Sequence, residues 1–156
     1  MNYSPHILKH FKAPSKFIAL GEWNETLIGL QGWSGVVVGS PFHQDKVIQV
    51  EGRVTADDHF YVNGVGVWFR GLTLKMVLEK FAGEYKAVLI NVPGLNRDIV
   101  FSVEMGALSP IVIVVKHDGR DQEIANCGAG RSYKVTRMER DAMVMAREDN
   151  HRGQCV

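Results

Sequence analysis

Cysteine is almost absent: Cys127 and Cys155 are the only two in 156 residues, at no spacing that forms a CxxC pair. Neither a disulfide framework nor a cysteine-rich metal or redox site can be assembled from them. The opening stretch MNYSPHILKHFKAPSKF lacks the unbroken apolar core of a signal peptide. A cytoplasmic, thiol-reduced protein is expected, or a virion component if the source is viral. An excess of one charge is missing too, since 18 Lys and Arg stand against 17 Asp and Glu for a net charge of +1. No bulk field draws phosphate backbones or anionic lipid, and nucleic-acid binding falls back on a local patch of Lys9, Lys12 and Lys16, the weakest of the function classes. With 46% apolar and 22% charged residues, the composition excludes disorder and a membrane protein alike.

Glycine is what the chain has in plenty, with 16 residues. It weakens helix interiors and supplies positive φ, so tight turns between short strands are favoured over a helical bundle. The length suits one domain with its own core, and no segment repeats. The expected class is α+β: a sheet-rich, mixed single domain over 17–156 with one main amphipathic helix (72–82) and several short strands. Pro5 and Pro14 disfavour a long helix in 1–16, which reads as an extended arm.

Along the chain, 17–33 mixes apolar residues and glycines without a clean period, and Val36 to Val38 is a short β-branched run. VIQVEGRV (47–54) alternates as a half-buried strand should, and Asn63-Gly64 sits between two β-rich halves as a hairpin turn. Leu74, Val77, Leu78 and Phe81 fall on one helical face, with Thr73 able to cap and Gly83 to terminate. AVLINV (87–92), DIVFSV (98–103) and IVIVV (111–115) read as strands, the last central and covered on both faces. YKVTRM (133–138) reads as another strand, whereas AMVMA (142–146) is either strand or short helix.

Candidate chemistry centres on Asn126 to Ser132. There Cys127, Gly128, Gly130, Arg131 and Ser132, with His117 nearby, are candidate ligand-binding residues, because glycines let backbone N–H groups converge on an anion while Arg131 and Ser132 add donors. The segment lacks the Gly-Lys-Ser/Thr of a phosphate loop and the third glycine of a dinucleotide fingerprint, so a turn between two strands is the plainer reading. Gly32-Trp33-Ser34-Gly35 is one residue short of a nucleophile elbow. His6 and His10 are four apart without the glutamate of a zinc-protease helix, and the Asp57-Asp58-His59 and His117 to Asp121 groups sit at expected turns. Trp23, Trp33 and Trp68, with Tyr61 and Phe69, form either a ligand platform or core. The Asn24-Glu25-Thr26 sequon reads as chance. No catalytic residue, metal or cofactor is assigned.

Val50 to Val54, the segment Phe69-Arg70-Gly71-Leu72-Thr73-Leu74 leading into the helix, and Lys86 to Arg120 together resemble the molybdopterin-binding domain of the sulfite-oxidase family over roughly half the chain. The resemblance implies that scaffold. It does not carry the metal centre, because that family's ligand cysteine precedes the helix and here no cysteine precedes Cys127. With every catalytic motif incomplete, the first functional expectation is a non-catalytic interaction or assembly subunit of a larger complex, a viral particle component being one form, with other protein subunits as partners. The alternative is a small-molecule or cofactor-binding enzyme, a degenerate molybdopterin-oxidoreductase-like domain.

Overall fold

Runs such as FIAL, VVV, AVLI and VIVV are apolar at every position, as strands covered on both faces must be. A computed structural model describes residues 1–55 and 71–148 and places these runs in one sheet. In chain order the elements are α1 (Ser4–Leu8), β1 (Lys16–Leu20), α2 (Asn24–Ile28), β2 (Ser34–Val38), β3 (Val47–Val50), β4 (Arg53–Thr55), β5 (Gly71–Thr73), α3 (Leu74–Lys80), β6 (Ala87–Ile90), α4 (Asn96–Val100), α5 (Val103–Leu108), β7 (Val112–Lys116), α6 (Asp121–Gly130), β8 (Tyr133–Met138) and β9 (Ala142–Arg147). The main sheet has seven strands in the order β3-β2-β1-β6-β7-β9-β8, and β4 pairs with β5 in a separate ribbon. From β3 to β7 all neighbours are parallel, while β9 runs antiparallel to both β7 and β8. The class is the expected one, α+β with a mixed sheet.

Successive strand residues point to opposite faces, and this alternation divides the interior into two cores. Ile18, Leu20, Val36, Val38, Val88, Ile90, Ile113, Val115, Met143 and Met145 face one side, where Leu74 and Val77 of α3, Ile99 of α4, Met105 of α5 and Ile124 of α6 close over them. Phe17, Ala19, Val37, Ala87, Leu89, Val112, Val114, Ala142 and Val144 face the other, under Ile7 of α1, Leu27 of α2 and the aromatics Tyr3, Trp23, Trp33 and Phe42. Parallel neighbours require a crossover, normally helical. Between β2 and β3 residues 39–46 form no helix, and the buried ring of Phe42 fills the space a helix would cover.

The helical stripe over 72–82 is real: α3 occupies Leu74–Lys80, and Leu78 and Phe81 pack against its core. AMVMA resolves as strand β9, and IVIVV is the central strand expected. Elsewhere the structure differs. DIVFSV is not a strand; its residues end α4 and begin α5, because the Ser102 hydroxyl accepts from the Met105 N–H 3.2 Å away and starts a new helix. VIQVEGRV is not one strand either. It breaks at Gly52, whose φ of 126° turns the chain out of the main sheet before β4. The N-terminal segment expected as an extended arm holds α1, with Tyr3 and Ile7 fully buried. Tyr3 is fixed there by its backbone N–H, which donates to Thr26 Oγ1 at 3.0 Å. The Asn63-Gly64 hairpin, Asp57 to His59, Tyr61, Trp68, Phe69 and Cys155 lie outside the described residues.

Candidate ligand-binding crevice

After β1 the chain fills the β2 and β3 side of the sheet, then returns to the other side of β1 with β6 and β7. The loops leaving β1 and β6 therefore part company, and at such a switch point the carboxyl ends of parallel strands leave a crevice. Here it is a hollow of about 390 Å³ between Gly21-Glu22 after β1, Val38-Gly39 at the end of β2, Gly52 after β3, and Asn91-Val92-Pro93 after β6.

Three of those walls turn on glycines with positive φ: Gly21 at 86°, Gly39 at 85° and Gly52 at 126°. At Gly21 the backbones come so close that a Cβ would lie 1.9 Å from the Asn91 carbonyl oxygen, and at Gly39 it would lie 2.8 Å from that of Gly52. The sheet's hydrogen bonding continues to the lip, the Gly21 N–H donating to Val38 O at 2.8 Å and the Asn91 N–H to Leu20 O at 2.7 Å. Asn91 Nδ2 also donates to Glu22 O at 3.2 Å, bridging the gap between the parting loops.

Charge in the crevice is sparse and negative. Glu22 is the one ionisable residue of its described lining. One carboxylate oxygen accepts from the Asn24 N–H at 3.0 Å, and the side chain stays exposed at the rim. A smaller hollow of about 80 Å³ shares Glu22 and Asn91 and is bordered by Trp23, Glu25, Thr26 and Lys116. Lys116 donates to Asp141 at 2.8 Å and stands over the Trp23 ring, 5.5 Å from its centroid.

Behind the β6 wall lies a side-chain bracket. Asn96, only 1% exposed, accepts from the Val92 N–H through Oδ1 at 2.7 Å. Its Nδ2 donates to Asp118 Oδ2 at 2.9 Å, and the same oxygen accepts from the Gly94 N–H at 3.2 Å. Asp118 reaches this position from the turn after β7, at a φ of 52°.

The residues singled out from sequence lie elsewhere. Asn126 to Gly130 is the last turn and a half of α6, not a loop, and α6 runs back from the carboxyl end of β7 to its amino end. Arg131 donates to the carbonyls of Val100 at 3.0 Å, Phe101 at 2.8 Å and Ser102 at 3.1 Å, where α4 ends. These bonds face the guanidinium toward a helix terminus. Gly128 is buried so tightly that a Cβ would come within 2.7 Å of Met145 Sδ, whereas a Cβ on Gly130 would meet nothing within 4 Å. Ser132 is the left-handed residue, φ 69°, that turns the chain into β8. Burial pushes the Cys127 thiol above its ordinary value, with Arg131 and Arg97 pulling the other way. His117 is at the opposite, carboxyl end of the sheet. Its Nδ1 accepts from the Gly119 N–H at 3.1 Å and its Nε2 lies 3.0 Å from Glu139 O, which fixes the tautomer with the proton on Nε2. The structure therefore does not gather His117 with Cys127 to Ser132.

Other candidates resolve as structure. Ser34 begins β2 at the amino edge of the sheet, away from the crevice. Trp23 and Trp33 are core residues, Trp23 donating to Leu20 O at 3.2 Å and Trp33 meeting Phe11 edge-on. α1 ends at Leu8, short of His10, and among the described residues no group of three His, Cys, Asp or Glu side chains could hold a metal ion. Gly21, Gly39, Glu22 and Asn91 belong to no motif in the sequence, and Gly52 appears there only within the Val50 to Val54 strand. The signal that marks two of them is a glycine directly after an apolar run, as in FIAL-Gly21 and VVV-Gly39.

No family model, curated protein or solved structure matches the chain. Among the described residues no helix is long and apolar enough to cross a membrane.

Proposed function

We propose that the crevice binds a small organic ligand of the nucleoside class that is neutral or positively charged, S-adenosylmethionine being the common metabolite of that description. The observation that carries this reading is the hollow's position at the switch point of a parallel sheet, the place where such sheets take nucleotide-like ligands. Its volume of about 390 Å³ is that of a small-ligand site. Charge narrows the class. The described lining contains no Lys or Arg, and its single ionised group is the Glu22 carboxylate. A pyrophosphate would meet like charge with no compensating cation among the described lining residues, and Gly21-Glu22-Trp23 is no glycine-rich phosphate loop. The same argument disfavours a phosphate-bearing pterin. A sulfonium nucleoside is a methyl donor, so methyl transfer is the reaction class this reading implies.

The assembly-subunit expectation finds less support. Among the described residues the exposed large apolar side chains are Met1 and, on six different elements, Leu8, Ile28, Ile48, Met76, Val103 and Met138.

Isothermal titration with S-adenosylmethionine, adenosine and NAD tests the proposal. Binding is expected for the first two, and Glu22→Gln is expected to weaken S-adenosylmethionine by roughly two- to fivefold while leaving adenosine unchanged, the magnitude of an exposed charge pair. Preference for NAD, or no binding by any of the three, would refute the reading.

A further inference from the structure

The crevice wall after β6 closes one turn on itself, the Leu95 N–H donating to Val92 O at 2.9 Å, and leans on side chains beyond that. Its backbone leaves the sheet at Asn91, bends through Pro93 and Gly94 and enters α4 at Asn96. α4 is five residues long, too short to fix the loop by its own hydrogen bonding. The Val92 N–H has left the sheet ladder and donates to the Asn96 side-chain oxygen at 2.7 Å in a buried setting. Asn96 in turn is oriented by Asp118, which comes from a different strand and adds the Gly94 N–H. Neither side chain lines the hollow.

We infer that Asn96 and Asp118 are positioning residues for the ligand: they clamp the Asn91 to Pro93 wall against the end of β7 and so set the width of the crevice. The inference rests on the binding reading above. It assigns to Asp118 the unusual backbone angle of 52°, since this angle is what carries its carboxylate back across to Gly94 and Asn96. The polarity of the link is fixed as well. The Asn96 oxygen is engaged by a backbone donor, so only its nitrogen faces Asp118, and only an acceptor fits there.

That polarity supplies the test. Asn96→Asp keeps an acceptor for the Val92 N–H but sets two carboxylates against each other. The double exchange of Asn96→Asp with Asp118→Asn puts a donor opposite an acceptor again, while the Gly94 N–H, at 3.2 Å the longer of the two bonds to Asp118 Oδ2, loses its acceptor. S-adenosylmethionine affinity is expected to fall about tenfold in the single variant and to recover most of that in the double, with the Val92 amide exchanging faster in the single variant only. A purely structural role would show in the melting temperature and leave affinity in the folded variants unchanged, which would overturn the inference. If Asn96→Asp fails to fold, the double exchange is still read: it must fold and bind within a few-fold of the unaltered chain, and a folded double variant that binds tenfold more weakly counts against the inference. Absence of binding by the unaltered chain would sink the binding reading alone. The clamp would then be judged by the Val92 amide, and an exchange rate indifferent to Asn96→Asp would overturn it.

Discussion

Replacing Arg131 by methionine keeps most of its apolar stem and removes the guanidinium that reaches Val100, Phe101 and Ser102. Those carbonyls stand where α4 ends and carry the partial negative charge of a helix C-terminus. A hydrogen bond to a charged group contributes about 1.5–3 kcal/mol net. Three such bonds sharing one partly exposed head do not add, so the expected loss is about 2–3 kcal/mol for Arg131→Met and about half of that for Arg131→Lys, which keeps the charge but not the fork. In a chain of this length that lowers the Tm by roughly 5–10 °C. Urea unfolding followed by tryptophan fluorescence reads it as a lower midpoint at unchanged slope. S-adenosylmethionine binding should be untouched, because Arg131 and the crevice lie at opposite ends of the sheet. A stability change under about 0.5 kcal/mol would refute the argument and return Arg131 to the pool of candidate anion ligands.

Gly35→Ala places a Cβ 2.5 Å from the Phe17 carbonyl oxygen on the neighbouring strand, and a loss of about 2–3 kcal/mol in urea unfolding is expected; stability equal to the unaltered chain would show that β1 and β2 can part more readily than their pairing suggests. The Tyr3 hydroxyl is buried, and its pKa is pushed up to about 12, first by burial and then by the carboxylates of Asp141 and Glu139, Asp141 acting through hydrogen bonding as well as charge. Because the unfolded phenol ionises near about 10, stability is intact below that pH and drains as pH rises toward 12; Tyr3→Phe should abolish this alkaline loss and, at neutral pH, change stability by no more than about 1 kcal/mol, checked by midpoints at about pH 8 and 11. Lys116 holds the Asp141 carboxyl below its ordinary range, chiefly by hydrogen bonding, so this contribution is present above the unfolded carboxyl value and disappears as pH falls through the folded one. Lys116→Met should flatten the acid limb of the stability profile slightly, Asp141 being 66% exposed, and a profile of unchanged steepness would contradict it.

Local pattern was enough for the strands at the centre of the sheet. The unbroken β-branched run IVIVV suggests a strand covered on both faces, and β7 is one, between β6 and β9. The stripe Leu74, Val77, Leu78 and Phe81 likewise had one helical solution. Short β-branched stretches were less informative. DIVFSV has the composition of a strand, yet the Ser102 cap and the anchoring of Asn96 bend it into two helices, and neither contact is visible to periodicity. The glycines of α6 disguised it in the opposite sense, since Gly128 is required for Met145 to pack and not for a turn. The crevice was less legible still. Its walls come from strand ends separated by up to 72 positions, from Gly21 to Pro93, and they meet only because the sheet reverses its direction of growth at β1. Strand order is a property of the whole chain, so Glu22 and Asn91 looked like ordinary loop residues.

The hollow at the end of the sheet owes its shape to main chain more than to side chains. Three strands leave on Gly21, Gly39 and Gly52, at angles that larger residues resist and, at two of the three, with carbonyl oxygens occupying the space a Cβ would need. A substitution that tried to plug the cavity from these positions would distort a turn before it obstructed anything. Chains sharing little else with this one could therefore keep the same opening, provided they kept the three bends, and could vary the rim around it to suit different occupants.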